Sequence, residues 1–157
     1  MKRQLVLVVT AAALVVAGGV AALVANAAGT SSGSKPRHVQ AARQFVGYWM
    51  GIDPLDGGDS RRGITRAGGG KFALIGRDTV FTLCDGTDRA IVTDTGLTVA
   101  GRALVSDGFV ISCTNNSSTI TLKVRYEVIG RNVIRETLTT QAGAPVDKII
   151  FHRVSQR

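Results

Sequence analysis

The chain has few of the residues on which catalysis and nucleic-acid recognition usually depend. Its 157 residues include two histidines, two cysteines, one tryptophan and two tyrosines, and no basic stripe is interleaved with aromatic side chains. A nucleic-acid surface usually combines basic and aromatic residues. The strand-rich part of the chain also lacks the Gly-x-Ser-x-Gly turn that carries the nucleophile of many hydrolases. We therefore expect no catalytic residues, no cofactor and no nucleic-acid partner.

The two histidines give little support to an active site. His38 lies before the strands begin, and His152 lies on the last predicted strand. A Ser-His-Asp site would have to use His152, whose expected neighbour across the strands is Glu136. We interpret His152 as a structural or surface residue.

Residues 1–27 have the pattern of a secretory signal peptide. Lys2 and Arg3 precede an uncharged apolar run over residues 5–25, and the sequence Ala-Asn-Ala ending at residue 27 places small residues before a cleavage point. We predict cleavage after Ala27. The alternative is an uncleaved anchor, because about 20 apolar residues can span a bilayer as a helix. In both cases the domain is secreted or extracytoplasmic, and no membrane span remains if the signal is cleaved.

The part of the chain after residue 27 has a net positive charge. Without residues 1–27 it contains 17 basic and 11 acidic residues, and these are scattered along the sequence. A positive balance favours contact with anionic surfaces such as membranes or cell-envelope polymers, and it also promotes solubility. An anionic surface or envelope component is therefore one candidate partner.

Cys84 and Cys113 are the two cysteines, and both lie in the exported part. In an oxidising compartment an isolated pair most often forms one bridge. We predict a disulfide between them rather than a metal pair or a nucleophile, and we predict no metal site. A bridge that closes a loop of about 30 residues stabilises a domain by roughly 3–4 kcal/mol.

The pattern of the chain changes twice after the signal segment. Residues 28–37 are rich in Gly and Ser and predict a flexible tether. Residues 37–45 predict one short helix within a domain that spans residues 38–157. From there the alternation of apolar and polar residues predicts strands. We place eight of them at residues 45–52, 60–67, 71–84, 88–99, 102–113, 119–128, 131–141 and 146–154.

Eight strands joined by short turns predict an all-β fold, an eight-stranded antiparallel up-and-down barrel with a short N-terminal helix. Two strands change phase, and we expect a bulge at Gly76 to Asp78 and another at Ser106 to Gly108. With 102–113 taken as one bent strand, the two cysteines lie at the same end of the barrel.

The segment Gly47-Tyr48-Trp49, at the start of the first strand, resembles the Gly-x-Trp signature of lipocalins and related calycins. The resemblance implies that Trp49 lies at the closed floor of the barrel, where a basic residue of the last strand packs over it. Arg153 is the residue that can do so by a cation–π contact. Gly47, Trp49 and Arg153 are thus the predicted floor. Residues 49–57, 81–84 and 149–154 also resemble a group of exported bacterial proteins with no assigned function.

The opposite end of such a barrel collects the loops at residues 53–59, 85–87, 114–118 and 142–145. Their polar residues form a candidate rim around the mouth: Asp53, Asp56, Asp59, Asp85, Asp88, Asn115 and Asn116. The spacing of the first three aspartates invites a calcium interpretation, but it does not match the alternating ligands of an EF-hand. We interpret these residues as turn formers.

Two functions stay open at this point. The first is a non-enzymatic exported domain that takes a small apolar or amphipathic ligand through the mouth of the barrel. The second is an envelope or extracellular interaction module whose filled barrel contacts protein or polymer through its loops. An internal apolar cavity would favour the first function, and a filled core the second.

Overall fold

The computed structural model describes residues 42–85 and 89–155, which belong to one unit. The described residues form eight strands and, between the third and fourth strands, the short 3-10 helix Thr82–Cys84. The strands are β1 (Gly47–Ile52), β2 (Asp59–Gly68), β3 (Lys71–Asp78), β4 (Ala90–Ala100), β5 (Ala103–Cys113), β6 (Thr119–Gly130), β7 (Val133–Thr139) and β8 (Pro145–Ser155).

The strands close into a barrel in sequence order. Every strand pairs antiparallel with the next, and β8 returns to pair with β1, so that Trp49 of β1 faces Arg62 of β2 on one side and Arg153 of β8 on the other. Closure leaves no unpaired sheet edge. The predicted eight-stranded up-and-down barrel is therefore confirmed. The loops after β1, β3, β5 and β7 share one end, which we call the mouth, and the opposite end is the floor.

Alternation along the strands separates the core from the surface. On β6, Leu122, Val124 and Tyr126 are buried, whereas Thr121 and Arg125, at alternate positions, are exposed. Successive side chains of a strand point to opposite faces, so one face of β6 lines the interior and the other meets solvent. The interior of the barrel is the hydrophobic core.

Of the two predicted bulges, one is confirmed and the other is wrong. The pairing of β5 with β6 shifts between Ser106 and Phe109, where the bend was expected. By contrast, β3 pairs regularly with β2 through Gly76 to Asp78, and its irregularity lies near its start, against β4. The apparent change of phase arises because the strand ends at Asp78 and the chain leaves the sheet.

The 3-10 helix after β3 explains how the two cysteines meet. They are joined by a disulfide with a Cα–Cα distance of 5.5 Å. Since β4 lies between β3 and β5, a cysteine on β3 itself would be about 10 Å from β5. Cys84 lies on the helix instead, which brings it to Cys113 at the end of β5. Such a bridge fits an oxidising, extracytoplasmic environment.

Only the last part of the predicted N-terminal helix is described. Residues 42–45 form a helical turn in which the Phe45 N–H donates to the carbonyl of Ala42. The signal segment 1–27, the tether 28–37 and His38 lie outside the described residues. Within residues 42–85 and 89–155, no helix is long and apolar enough to cross a membrane.

Candidate functional site

The floor of the barrel brings together the residues of the Gly-x-Trp segment and the last strand. The Arg153 guanidinium carbon lies 4.1 Å from the centroid of the Trp49 ring. The Trp49 indole N–H donates to the carbonyl of Phe45 at 2.8 Å, and the Arg153 guanidinium donates to the carbonyls of Val46 and Gln44. Arginine and tryptophan thus tie the segment that enters the barrel to the sheet.

Gly47 completes the predicted floor. It is buried at the start of β1 and has a φ angle of 140°, a conformation that L side chains rarely adopt. Burial lowers the pKa of the neighbouring Arg153. At the floor the Arg153 cation thus lies against an aromatic ring.

The predicted rim residues are mostly engaged in building their own turns. Asp53, Asp56 and Asn116 each accept a hydrogen bond from the backbone N–H two residues further on. This Asx geometry agrees with the interpretation of these three residues as turn formers. Asp85 accepts a hydrogen bond of 3.3 Å from the Asn116 amide, which links two of the mouth loops.

The other rim residues add no common site. Asp59 is exposed at the start of β2, Asn115 lies in the loop after β5, and Asp88 is outside the described residues. Among the residues that the structure describes, no three His, Cys, Asp or Glu side chains converge in a way that could hold a metal ion. The mouth is thus organised by local turn contacts rather than by convergence on a shared centre.

The carboxylate of Asp147 at the mouth was not predicted as a site residue from the sequence. Asp147 of β8 is nearly buried and lies beside Asp53, which is itself buried. Burial, together with the neighbouring Asp53 carboxylate, raises the pKa of Asp147 to about 7, although the backbone N–H of Lys148 opposes the change. Poor solvation and a like-charged neighbour both favour the protonated form of a carboxyl group.

The centre of the barrel contains a fully buried charged cluster. Arg62 forms paired hydrogen bonds to Asp78, at 2.7 and 3.3 Å, and to Glu136, at 2.9 and 3.0 Å. Its Nη1 also donates to the carbonyl of Arg61 at 3.0 Å. A guanidinium has five N–H donors. All five are therefore satisfied by protein groups.

The surroundings of this guanidinium are aromatic. The rings of Phe109 and Phe151 lie 5.8 and 5.2 Å from its central carbon, and the Tyr126 hydroxyl donates to Glu136. Burial alone would lower the pKa of Arg62, but the two carboxylates beside it raise that pKa well above its usual value. Burial, reinforced by Glu136, raises the pKa of Tyr126. The cluster therefore holds a charged arginine and a neutral tyrosine.

This cluster fills the space in which a ligand of an open barrel would lie. Trp49, Arg62, Tyr126, Phe109 and Phe151 are among the largest fully buried side chains of the described residues. The backbone is adapted to them at Gly76, where an added Cβ would come within 2.9 Å of the Arg62 side chain and within 2.3 Å of a backbone oxygen. The interior is consequently a solid core.

The sequence itself indicates this cluster, because two charged residues stand at inward positions of their strands. Arg62 lies between Ser60 and Ile64 on the inward phase of β2, and Glu136 lies between Ile134 and Leu138 on β7. A charged residue at an inward position must be paired. Two such positions of opposite charge therefore predict a buried ion pair.

The structure does not assemble the His152–Glu136 pair considered for a triad. His152 is exposed on β8 and faces Met50 and Val133 in the adjoining strands. Glu136 is buried and already bound to Arg62 and Tyr126. The two side chains lie on opposite faces of the sheet, so the expected neighbour relation is wrong.

An apolar depression lies on the outside of the barrel over β8, β1, β2, β3 and the start of β4. We call it the outer groove, and it has a volume of about 510 Å³. Its lining includes Tyr48, Arg61, Gly63, Ile75, Arg77 and Val154. Gly63 lies at the centre, because its cross-strand neighbours are Tyr48 and Ile75. Gly63 is buried because the Tyr48 ring packs over it, and an added Cβ at this position would come within 3.2 Å of that ring.

The outer groove gathers apolar side chains that solvent reaches. Tyr48, Ile75 and Val154 are 50%, 64% and 58% exposed. Scattered exposed apolar residues are normal, but their concentration in one depression is typical of an interaction site. This surface was not predicted from the sequence, because it depends on which outward positions of five strands become neighbours.

Comparison of the chain with protein-family models, with curated proteins and with solved structures finds no match. The eight-stranded antiparallel barrel is nevertheless the architecture that the lipocalin resemblance implied. A function for the chain therefore has to be proposed from this fold and from the sites described above.

Proposed function

We propose that the chain is an exported, non-enzymatic binding domain whose filled, lipocalin-like barrel binds its partner on the outer groove. The observation that carries the proposal is the solid interior, where Arg62 and its partners lie in the space that an internal ligand would need. A barrel of eight strands can either hold one small ligand or be filled by its own side chains. The large buried side chains argue against an internal ligand, and the proposal differs from both functions considered from the sequence because it places the partner on the outer wall and not at the mouth or its loops.

The choice of the outer groove over the mouth rests on chemistry. At the mouth, Asp53, Asp56 and Asn116 each already accept a backbone N–H of their own turn. The cavity beside Asp53 and Asp147 has a volume of only about 60 Å³. Known ligand sites usually occupy about 300–1,000 Å³, and the outer groove lies within that range.

Export and the lipocalin-like label belong to the same proposal. The disulfide between Cys84 and Cys113 supports an oxidising compartment, and the stack of Arg153 on Trp49 supports the floor that lipocalins share. Mass spectrometry of the secreted protein should find Ala28 as its first residue. Retention of residues 1–27 would instead support the membrane anchor.

Nile red, a neutral apolar dye that fluoresces in apolar surroundings, tests the location of the site. We expect the native protein to enhance its fluorescence and the variant Ile75→Ser to lose most of that enhancement. Ile129→Ser, at an exposed position on β6, and Leu83→Ser, near the mouth, are the matched controls. Loss in Leu83→Ser with retention in Ile75→Ser would move the site to the mouth, and no enhancement at all would contradict an apolar binding site.

A further inference from the structure

We infer that the partner of the outer groove is an anionic amphiphile, a single aliphatic chain with a carboxylate or phosphate head group. This inference rests on the proposed function, because it names the chemistry of the molecule that occupies the groove. It also goes beyond that function, since an apolar groove alone would accept neutral molecules. Two arginines on the groove supply the additional information.

Arg61 and Arg77 form a like-charged pair across two strands. They are direct cross-strand partners in β2 and β3, both are exposed, and both line the outer groove. Like charges placed opposite each other in a sheet destabilise it. The ion pairs among residues 42–85 and 89–155 involve Arg62, Arg125 and Arg135, so neither Arg61 nor Arg77 has a carboxylate partner there. An anion bound between the two guanidinium groups would remove the repulsion.

The apolar part of the groove lies directly beside this charged pair. The row Tyr48, Gly63 and Ile75 crosses the same strands two residues away from the row that contains Arg61 and Arg77. Two residues along a strand correspond to about 7 Å. An aliphatic chain that lies on the first row therefore places its head group beside the two arginines of the second row.

Two other occupants fit these observations less well. A peptide usually binds a sheet by pairing with a free strand edge, but β1, β2 and β3 are each paired on both sides. A second copy of the chain would place its own Arg61 and Arg77 against the same two arginines if the grooves faced each other. An aliphatic chain needs no main-chain partner, and a negative head group turns the repulsion into attraction.

The shape of the surface favours one molecule over a bilayer. The groove is a depression with a volume of about 510 Å³, which is typical of small-ligand sites. A bilayer is flat on this scale and cannot contact the bottom of a depression. We therefore assign the groove to a single amphiphile that has left its membrane or micelle.

Calorimetric titration of the full secreted protein with monomeric dodecanoate tests the inference. We expect binding of dodecanoate and of dodecyl phosphate, and at least roughly tenfold weaker binding of dodecyltrimethylammonium, which has the same chain and the opposite charge. The double variant Arg61→Gln, Arg77→Gln should weaken dodecanoate binding roughly tenfold or more and so remove most of the preference for dodecanoate over dodecyltrimethylammonium. Arg102→Gln, at an exposed turn away from the groove, should leave both dodecanoate binding and Nile red fluorescence unchanged.

The outcomes separate this inference from the function on which it rests. Equal binding of the anionic and cationic amphiphiles, or unchanged dodecanoate binding in the double arginine variant, would overturn the anionic ligand while the groove itself survives. Failure of both Nile red and dodecanoate to bind would overturn the proposed function as well. Binding to vesicles of anionic phospholipid without binding to monomeric dodecanoate would assign the groove to a membrane surface instead.

Discussion

The substitution Glu136→Gln should destabilise the barrel far more than the removal of a single surface charge would. The Glu136 carboxylate accepts hydrogen bonds from Nε and Nη2 of Arg62 and from the Tyr126 hydroxyl. Glutamine keeps the shape but offers one oxygen in place of two, and its amide N–H groups would face the guanidinium. Breaking a buried ion pair by removing one partner costs about 3–5 kcal/mol. Small domains have about 5–15 kcal/mol of stability in total, so the variant would lose a large part of it.

Urea denaturation followed by the fluorescence of Trp49 measures this loss directly, because Trp49 is the single tryptophan and is buried in the core. The matched control is Glu127→Gln, at a position on β6 where the side chain is partly exposed and paired with Arg125 and Arg135. Exposed ion pairs contribute about 0–1 kcal/mol. Equal unfolding midpoints for Glu136→Gln and Glu127→Gln would refute the idea that the buried cluster carries uncompensated charge when one partner is removed.

The remaining predictions concern the floor, the disulfide and the mouth. Trp49→Ala should cost about 3–5 kcal/mol as a buried aromatic truncation, and Arg153→Ala about 1–2 kcal/mol; unfolding curves that neither change displaces would remove the basis for the lipocalin-like floor. A thiol assay on denatured, unreduced protein should detect no free thiol from Cys84 or Cys113, whereas two per chain would show that the bridge is absent. Folding raises the pKa of Asp147 from 3.8 to about 7, so the native state holds a proton that the unfolded chain releases. Stability should therefore fall as the pH rises between these values and stay level above them. Asp147→Asn should abolish this fall and be more stable than the parent above about pH 8, by on the order of 1–2 kcal/mol after allowance for water at the mouth; equal stability profiles for the two proteins would contradict the assignment.

The architecture could be predicted because it depends on patterns that the chain displays locally. Alternation such as that of Leu122, Val124 and Tyr126 identifies a half-buried strand wherever it occurs, and short turns make neighbouring strands antiparallel. The bend near Ser106 was visible for the same reason, as a change of phase inside one strand. The disulfide followed from two cysteines and an oxidising compartment.

The sites could not be predicted to the same degree, because they depend on long-range register. Arg62 and Glu136 are 74 residues apart, and their pairing requires the correct alignment of β2 and β7 around a closed sheet. The outer groove likewise exists only where Tyr48, Gly63 and Ile75 become neighbours. In the third strand the alternation led to a wrong prediction of a bulge, because Phe81 is buried although it no longer belongs to the sheet.

The buried guanidinium also bears on how the barrel avoids misfolding. A slip of β7 by one residue would turn Glu136 to the outside and leave Arg62 with unsatisfied donors in the core, since a shift of one residue exchanges the two faces of a strand. A slip by two residues keeps the faces, and in an apolar core it would replace one aliphatic side chain by another at little cost, whereas here it would still separate Glu136 from Arg62. The ion cluster therefore discriminates between correctly and incorrectly aligned barrels, whatever its net contribution to the free energy of unfolding.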